Sequence, residues 1–139
     1  MSNDRIAREG TIRLQFDYAA GDVAGRAVAA ARDQKRLLGS RCERCDRVLA
    51  PARSLCPGCG HATSELSEIG PGGTVESWTA VPGTGVFVLV RPDGADTAIT
   101  HRLAGAGAGE GDSRNPRIGG RVTAVFDYAG LAGFEVVES

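Results

Sequence analysis

The sequence has 139 residues and a mass of 14.4 kDa, the size of one domain or two small modules, and its 42% hydrophobic and 24% charged content suits a folded chain rather than a disordered one. No apolar run reaches the roughly 20 residues of a membrane span, and residues 1–10 hold no apolar stretch of signal-peptide type, which points to the cytoplasm. A net charge of −1 gives no bulk attraction to polyphosphate and counts against a general nucleic-acid binder, although residues 1–60 carry eleven Lys and Arg against seven Asp and Glu while residues 61–139 carry five against ten.

Residues 1–10 are polar and unpatterned and are read as a leader. From Thr11 the chain alternates: Ile12, Leu14, Phe16 and Tyr18 fall on one face and Arg13, Gln15 and Asp17 on the other, which predicts a half-buried strand. Ala20-Gly21-Asp22 breaks it. Asp22 can cap a helix from Val23 to Leu38, with Ala24, Ala27, Val28, Ala31 and Leu38 at helical spacing and Gly39 as the stop. Alanine buries little area, so this helix needs the rest of the chain or a partner subunit to pack on.

After a cysteine-bearing segment, Gly70-Pro71-Gly72-Gly73 marks a boundary, and strands are expected at 74–81, 86–91, 96–103, 121–128 and 134–137. The continuous run Val86-Phe87-Val88-Leu89-Val90 predicts a strand buried on both faces, and Arg91-Pro92-Asp93-Gly94 supplies the following turn. Residues 105–116, rich in Gly and Ala, have too little side-chain mass to pack and are expected to form a mobile loop. Five short strands suit a small closed barrel of the OB type better than a sandwich of about seven. The organisation expected is a leader, strand and helix over 1–40, a metal ribbon over 41–69 and a barrel over 70–139, a mainly β chain.

All four cysteines stand together as Cys42-x2-Cys45-x10-Cys56-x2-Cys59. Each C-x2-C pair turns two thiolates toward one metal, and the ten-residue interval is long enough for a hairpin to return the second knuckle to the first. Pro57-Gly58 is turn chemistry inside the second knuckle, and Gly60 relieves the backbone just after it. Two disulfides are disfavoured in a reducing cytosol. Iron takes the same ligands, but rubredoxin-type carriers are rich in aromatics near the metal and residues 42–59 contain none. One structural zinc per chain, closed to water by four thiolates, is the preferred reading. His61, two residues past Cys59, is read as a surface residue.

No catalytic constellation emerges. His101 has no free cysteine nucleophile, the serines show no nucleophile elbow, and neither a P-loop nor a dinucleotide fingerprint is present. One basic stretch remains between Arg26 and Arg53, with eight Lys and Arg against three acids. It is either a phosphate-binding surface or a solvated face.

Beyond these readings, the basic helix, Leu37-Leu38-Gly39-Ser40-Arg41-Cys42, the segment Pro51-Ala52-Arg53-Ser54-Leu55-Cys56-Pro57-Gly58-Cys59-Gly60, and Gly73-Thr74-Val75-Glu76-Ser77-Trp78-Thr79 resemble the zinc-ribbon and OB-fold proteins associated with acyl-CoA thiolases. The likeness covers about residues 11–137. It implies a helical lead and rubredoxin-like ribbon before an OB barrel, and a non-catalytic accessory subunit that binds a thiolase-fold protein (thiolase, acyltransferase or retro-aldolase) and helps hold or channel acyl-CoA. Arg36, Arg41 and Arg53 are the candidate contacts to the coenzyme A phosphates. Trp78 and Phe87 are candidates for an acyl path or, more simply, for barrel core. The sequence departs from the family in two places: Asp46 replaces the glycine after the first knuckle, and Ala52 replaces one proline of a Pro-Pro-Arg motif.

Two other readings stand beside it. Zinc ribbons joined to OB folds also bind nucleic acid, but this barrel half carries a balance of five basic against ten acidic residues with no basic residues interleaved among its aromatics. An independent electron carrier would require iron.

Overall fold

The computed structural model describes residues 7–105 and 115–137. One helix, α1 (Asp22–Gln34), precedes eight strands: β1 (Leu37–Arg41), β2 (Val48–Leu49), β3 (Glu65–Ile69), β4 (Gly72–Val81), β5 (Gly85–Pro92), β6 (Ile99–Arg102), β7 (Arg121–Asp127) and β8 (Gly130–Val136). They form a three-stranded sheet ordered β2-β1-β3 and a five-stranded antiparallel sheet ordered β6-β5-β4-β7-β8. A bridge between Leu103 and Phe134 brings the two outer strands of the larger sheet together, producing a near-closed barrel of the OB type.

Strand alternation explains how the barrel forms. Val86, Val88 and Val90 point inward and are fully buried, while Phe87 and Leu89 lie half-buried on the other face. The run expected to be buried on both sides is therefore a one-sided strand with a partly covered outer face. The Arg102 guanidinium lies 5.4 Å from the Phe87 ring centroid and supplies part of that cover. With Val75, Leu103, Val122 and Phe134 these valines fill the barrel, each such side chain contributing about 1.5–3 kcal/mol on burial. Closure depends on Gly133: a Cβ there would stand 2.5 Å from the Arg102 carbonyl oxygen, so only glycine lets β8 come this close to β6.

The two sheets share one core, because Leu37, Ala50 and Ile69 belong to the same apolar cluster as the barrel valines. Polar clamps reinforce the joint. The Val48 amide donates to the Asp96 carboxylate at 2.9 Å, the Asp96 amide donates to the Val48 carbonyl at 2.8 Å, and the Ala50 amide donates to the Thr97 hydroxyl at 2.8 Å.

Two further expectations are revised, and a third is not tested. Residues 11–18 form no strand: they run without regular structure, and Ile12, Leu14, Phe16 and Tyr18 are all exposed. Strand pairing needs a second strand, and among the described residues none lies against this segment. The helix ends at Gln34 rather than Leu38, with Lys35 in the left-handed region (φ 53) as its stop. Leu37–Arg41 instead pairs with β3, where Leu37 and Ile69 face each other in the core, so tertiary packing overrides the helical spacing of Leu38. Most of the expected loop 105–116 lies outside the described residues.

Candidate metal centre and basic loop

The four cysteines are brought together by two knuckles of the same construction. In the first, the Cys42 amide donates to the Arg47 carbonyl at 2.8 Å and the Asp46 amide to the Cys42 carbonyl at 2.8 Å; in the second, the Cys56 amide donates to the His61 carbonyl at 2.9 Å and the Gly60 amide to the Cys56 carbonyl at 2.8 Å. Both turns require a positive φ at the residue after the second cysteine, 62° at Asp46 and 74° at Gly60. Asp46 thus takes the same left-handed conformation as Gly60, and aspartate tolerates that region better than most residues. Its carboxylate also accepts from Arg41 Nε at 2.7 Å.

All four sulfurs lie within 4.8 Å of one another, with Cys42 and Cys59 at 3.5 Å and Cys45 and Cys56 at 3.4 Å. A tetrahedral metal with sulfur bonds of about 2.3 Å has sulfur–sulfur edges of about 3.8 Å, whereas a disulfide bond is about 2.05 Å. The arrangement fits a metal and contains no disulfide. Cys42 and Cys56 are buried beside Leu49, while Cys45 and Cys59 lie toward the surface.

Backbone amides prepare this site for charge. The Cys42 thiol is pushed down to about 6, chiefly by the Cys45 amide, with the Arg44 amide adding to it. At Cys56 burial opposes ionisation, yet the amides of Gly58 and Cys59 help carry the thiol below its ordinary value. Cys45 receives the Arg47 amide but is pushed up to about 12 by the Cys56 thiol, burial and the other sulfurs. Cys59 receives the His61 amide and is likewise raised, by burial and its neighbours. Four crowded sulfurs cannot all ionise together unless a cation stands among them, and a soft divalent metal supplies that cation. The ring of His61 is not one of the clustered ligands.

The basic stretch is largely paired. Arg36 donates to Glu68 at 2.8 Å, Arg41 binds both Asp46 and Glu65, Arg32 pairs with Asp33 and Arg26 with Asp22. Strand register sets two of these contacts, because Arg41 faces Glu65 directly and Leu38 faces Glu68 across β1 and β3. Arg53 differs. Its amide donates to the buried Ser40 hydroxyl at 2.8 Å and its carbonyl accepts from the buried Thr63 hydroxyl, while its side chain is exposed and makes no ion pair among the described residues. Arg44 and Arg47 are also exposed without an acidic partner among these residues, and Arg47 reaches over the second knuckle at Gly58.

Sequence reasoning missed an apolar groove of about 460 Å³. It lies between α1, β1 and the seam of β6 with β8, and its walls include Ala24, Ala27, Val28, Leu38, Ile99 and Leu131. The alanine spacing of the helix was the available signal. Trp78 and Phe87 are not part of it: Trp78 is 37% exposed on the distal half of β4, and Phe87 lies under Arg102. His101 borders the groove. Burial lowers its pKa below the ordinary 6.5, against a backbone hydrogen bond at Leu131 that raises it, and the Arg102 amide donates to its Nδ1 at 2.8 Å.

Comparison with known proteins gives three findings. A family model described as ChsH2, rubredoxin-like zinc ribbon domain, matches residues 29–65. No curated protein matches the sequence. Among solved structures, the chain is similar to one described as an Ltp2-ChsH2(DUF35) aldolase, with a TM-score of 0.62 and 23% identity, covering 86% of this chain and 98% of that one. It is also similar to a protein of unknown function from the DUF35 family of Sulfolobus solfataricus, with a TM-score of 0.61 and 21% identity, covering 82% and 85%. At these identities the structural likeness is one of fold. No helix among the described residues is long and apolar enough to cross a membrane.

Proposed function

With residues 29–65 matching the ChsH2 rubredoxin-like zinc-ribbon family and the chain sharing its fold with DUF35 structures, we propose that this protein is a non-catalytic accessory subunit of a thiolase-fold enzyme. The observation that carries this reading is the shared fold with a solved chain described as an Ltp2-ChsH2(DUF35) aldolase, 98% of which is covered at a TM-score of 0.62. The partner performs the chemistry on an acyl-CoA, and this chain helps hold the coenzyme.

Zinc, one ion per chain, occupies the four-cysteine cluster and is structural, since Cys42, Cys45, Cys56 and Cys59 complete a tetrahedron and leave no position for water. Its contribution is to hold β1, β2 and the 51–63 loop in register, which in turn presents Arg53. That residue is our principal phosphate contact: its backbone is anchored by Ser40 and Thr63, and its guanidinium, with no ion pair among the described residues, can meet a dianion. Arg36 and Arg41 join it by exchanging their exposed carboxylate partners for phosphate.

Calorimetry of acyl-CoA binding to the assembled complex tests this role. Arg53→Ala is expected to weaken affinity about tenfold, the value of one charge-assisted contact, and unchanged affinity would remove Arg53 from the site.

A further inference from the structure

The segment 11–18 has a strand's pattern without a strand's partner. Ile12, Leu14, Phe16 and Tyr18 are 84%, 77%, 72% and 82% exposed, and the polar residues Arg13, Gln15 and Asp17 alternate with them. Nothing among the described residues uses this apolar face: it contributes to neither core cluster, and its backbone enters no sheet. Four such side chains present on the order of 500 Å² of apolar surface, a large part of the about 800 Å² per partner in a standard stable interface. Val28 and Tyr128, exposed at the α1 groove and beside it, add to that surface.

We propose that residues 11–18 are a docking arm that adds as a strand to an open sheet edge of the thiolase-fold partner, laying its four large side chains on an apolar surface beside that edge. The inference rests on the accessory-subunit reading and names the element that makes the attachment. A period of two is what strand addition demands: backbone groups pair along the edge, and alternate side chains enter the partner's surface.

A second copy of this chain fits the arm poorly. Two arms paired only with each other would form an isolated ribbon, marginal in water. Among the described residues, the longer open edges include β3, which carries exposed Glu65 and Glu68, and the distal half of β4, where exposed Glu76, Ser77 and Thr79 alternate with exposed Trp78, Ala80 and Val81. On either face of these two edges at least one polar side chain, Glu65 or Glu68 on β3 and Glu76 or Thr79 on β4, would be set against the apolar face. The groove is apolar, but along α1 the backbone groups are already paired within the helix, and β6 offers only four residues. An eight-residue arm placed there would leave N–H and C=O groups without partners.

The test uses the full chain, reconstituted with its identified thiolase-fold partner, in two variants: Ile12→Asp with Phe16→Asp, which places charge on the apolar face, and Gln15→Pro, which removes one ladder N–H. Because the arm is unpacked in the free chain, both variants should melt as the wild type does. Each is expected to weaken the partner's affinity, the double variant by at least about 100-fold. Affinity within threefold of wild type for both would overturn the arm while leaving the accessory-subunit reading standing. Loss of a wild-type homodimer at unchanged partner affinity would also overturn it, in favour of a second copy. If the wild-type chain itself forms no complex with a thiolase-fold protein, the underlying reading fails first.

Discussion

Asp46 and Gly60 occupy the same place in two equivalent turns: each follows the second cysteine of a knuckle, each has a positive φ, and each donates its amide to the carbonyl of the first cysteine at 2.8 Å. The equivalence makes the cost of a side chain there measurable. Gly60 has open space where a Cβ would stand, so Gly60→Ala isolates backbone strain and should lower the stability of the metal-loaded protein by about 1–2 kcal/mol. Asp46→Gly relieves strain but loses an exposed ion pair with Arg41, and its net effect should stay within about 1 kcal/mol. Thermal melting of the two variants checks both values, and a larger loss from Asp46→Gly than from Gly60→Ala would contradict the assignment.

Removing a buried ligand should be far more damaging. Cys42→Ser or Cys56→Ser leaves three thiolates, and structural zinc supplies an apparent 10–16 kcal/mol, roughly, in small modules of this kind. Because Leu37, Ala50 and Ile69 join the barrel core, loss of metal should lower the melting temperature of the barrel as well as unravel the ribbon. Metal analysis together with circular dichroism would show this. A metal-free variant with wild-type melting would refute a structural role.

Barrel closure rests on Phe134, fully buried beneath the Leu103 bridge. Phe134→Ala should cost about 3–5 kcal/mol through the cavity it leaves. Gly133→Ala fills no cavity but drives a methyl into the Arg102 carbonyl, so it should open the seam and raise amide exchange in β6 and β8. Protection unchanged in both strands would show that the seam is not tightly closed.

The lowered pKa of His101 predicts a pH dependence. Its pKa in the fold lies below 6.5 because burial disfavours the imidazolium, so the unfolded chain takes up the proton first as pH falls. The stability associated with the neutral ring is therefore present above pH 6.5 and is lost as pH falls through the lower, folded-state value. His101→Gln keeps a hydrogen-bonding side chain that does not titrate. Its melting temperature should fall less steeply than wild type below pH 6.5, and parallel slopes would exclude the histidine as the cause.

The metal centre and the barrel were the most legible parts of the sequence, for opposite reasons. Cys42 to Cys59 carry their partners within 18 residues, so spacing alone brings the ligands together. The run Val86 to Val90 marks a barrel strand by its unbroken apolar character, although which face turns inward, that of Val86, Val88 and Val90, could not be read from it. The pairing of Arg36 with Glu68 and of Arg41 with Glu65 was hidden because it depends on the β1–β3 register, set by Leu37 against Ile69 across 32 residues of chain. The helix stops early at Lys35 for the same reason, since Leu37–Arg41 is recruited as a strand by β3. The alternation at Ile12 to Tyr18 reads as a strand but forms none, because no second strand lies against it among the described residues, and periodicity cannot reveal where a partner lies.

The most direct test of the central claim is purification of the tagged protein from its own cells, with mass spectrometry of the co-eluting proteins and metal analysis of the same sample. The account predicts a thiolase-fold protein in stoichiometric amount and one zinc per chain. RNA or ribosomal proteins in that place would contradict it and assign the ribbon and barrel to nucleic-acid binding.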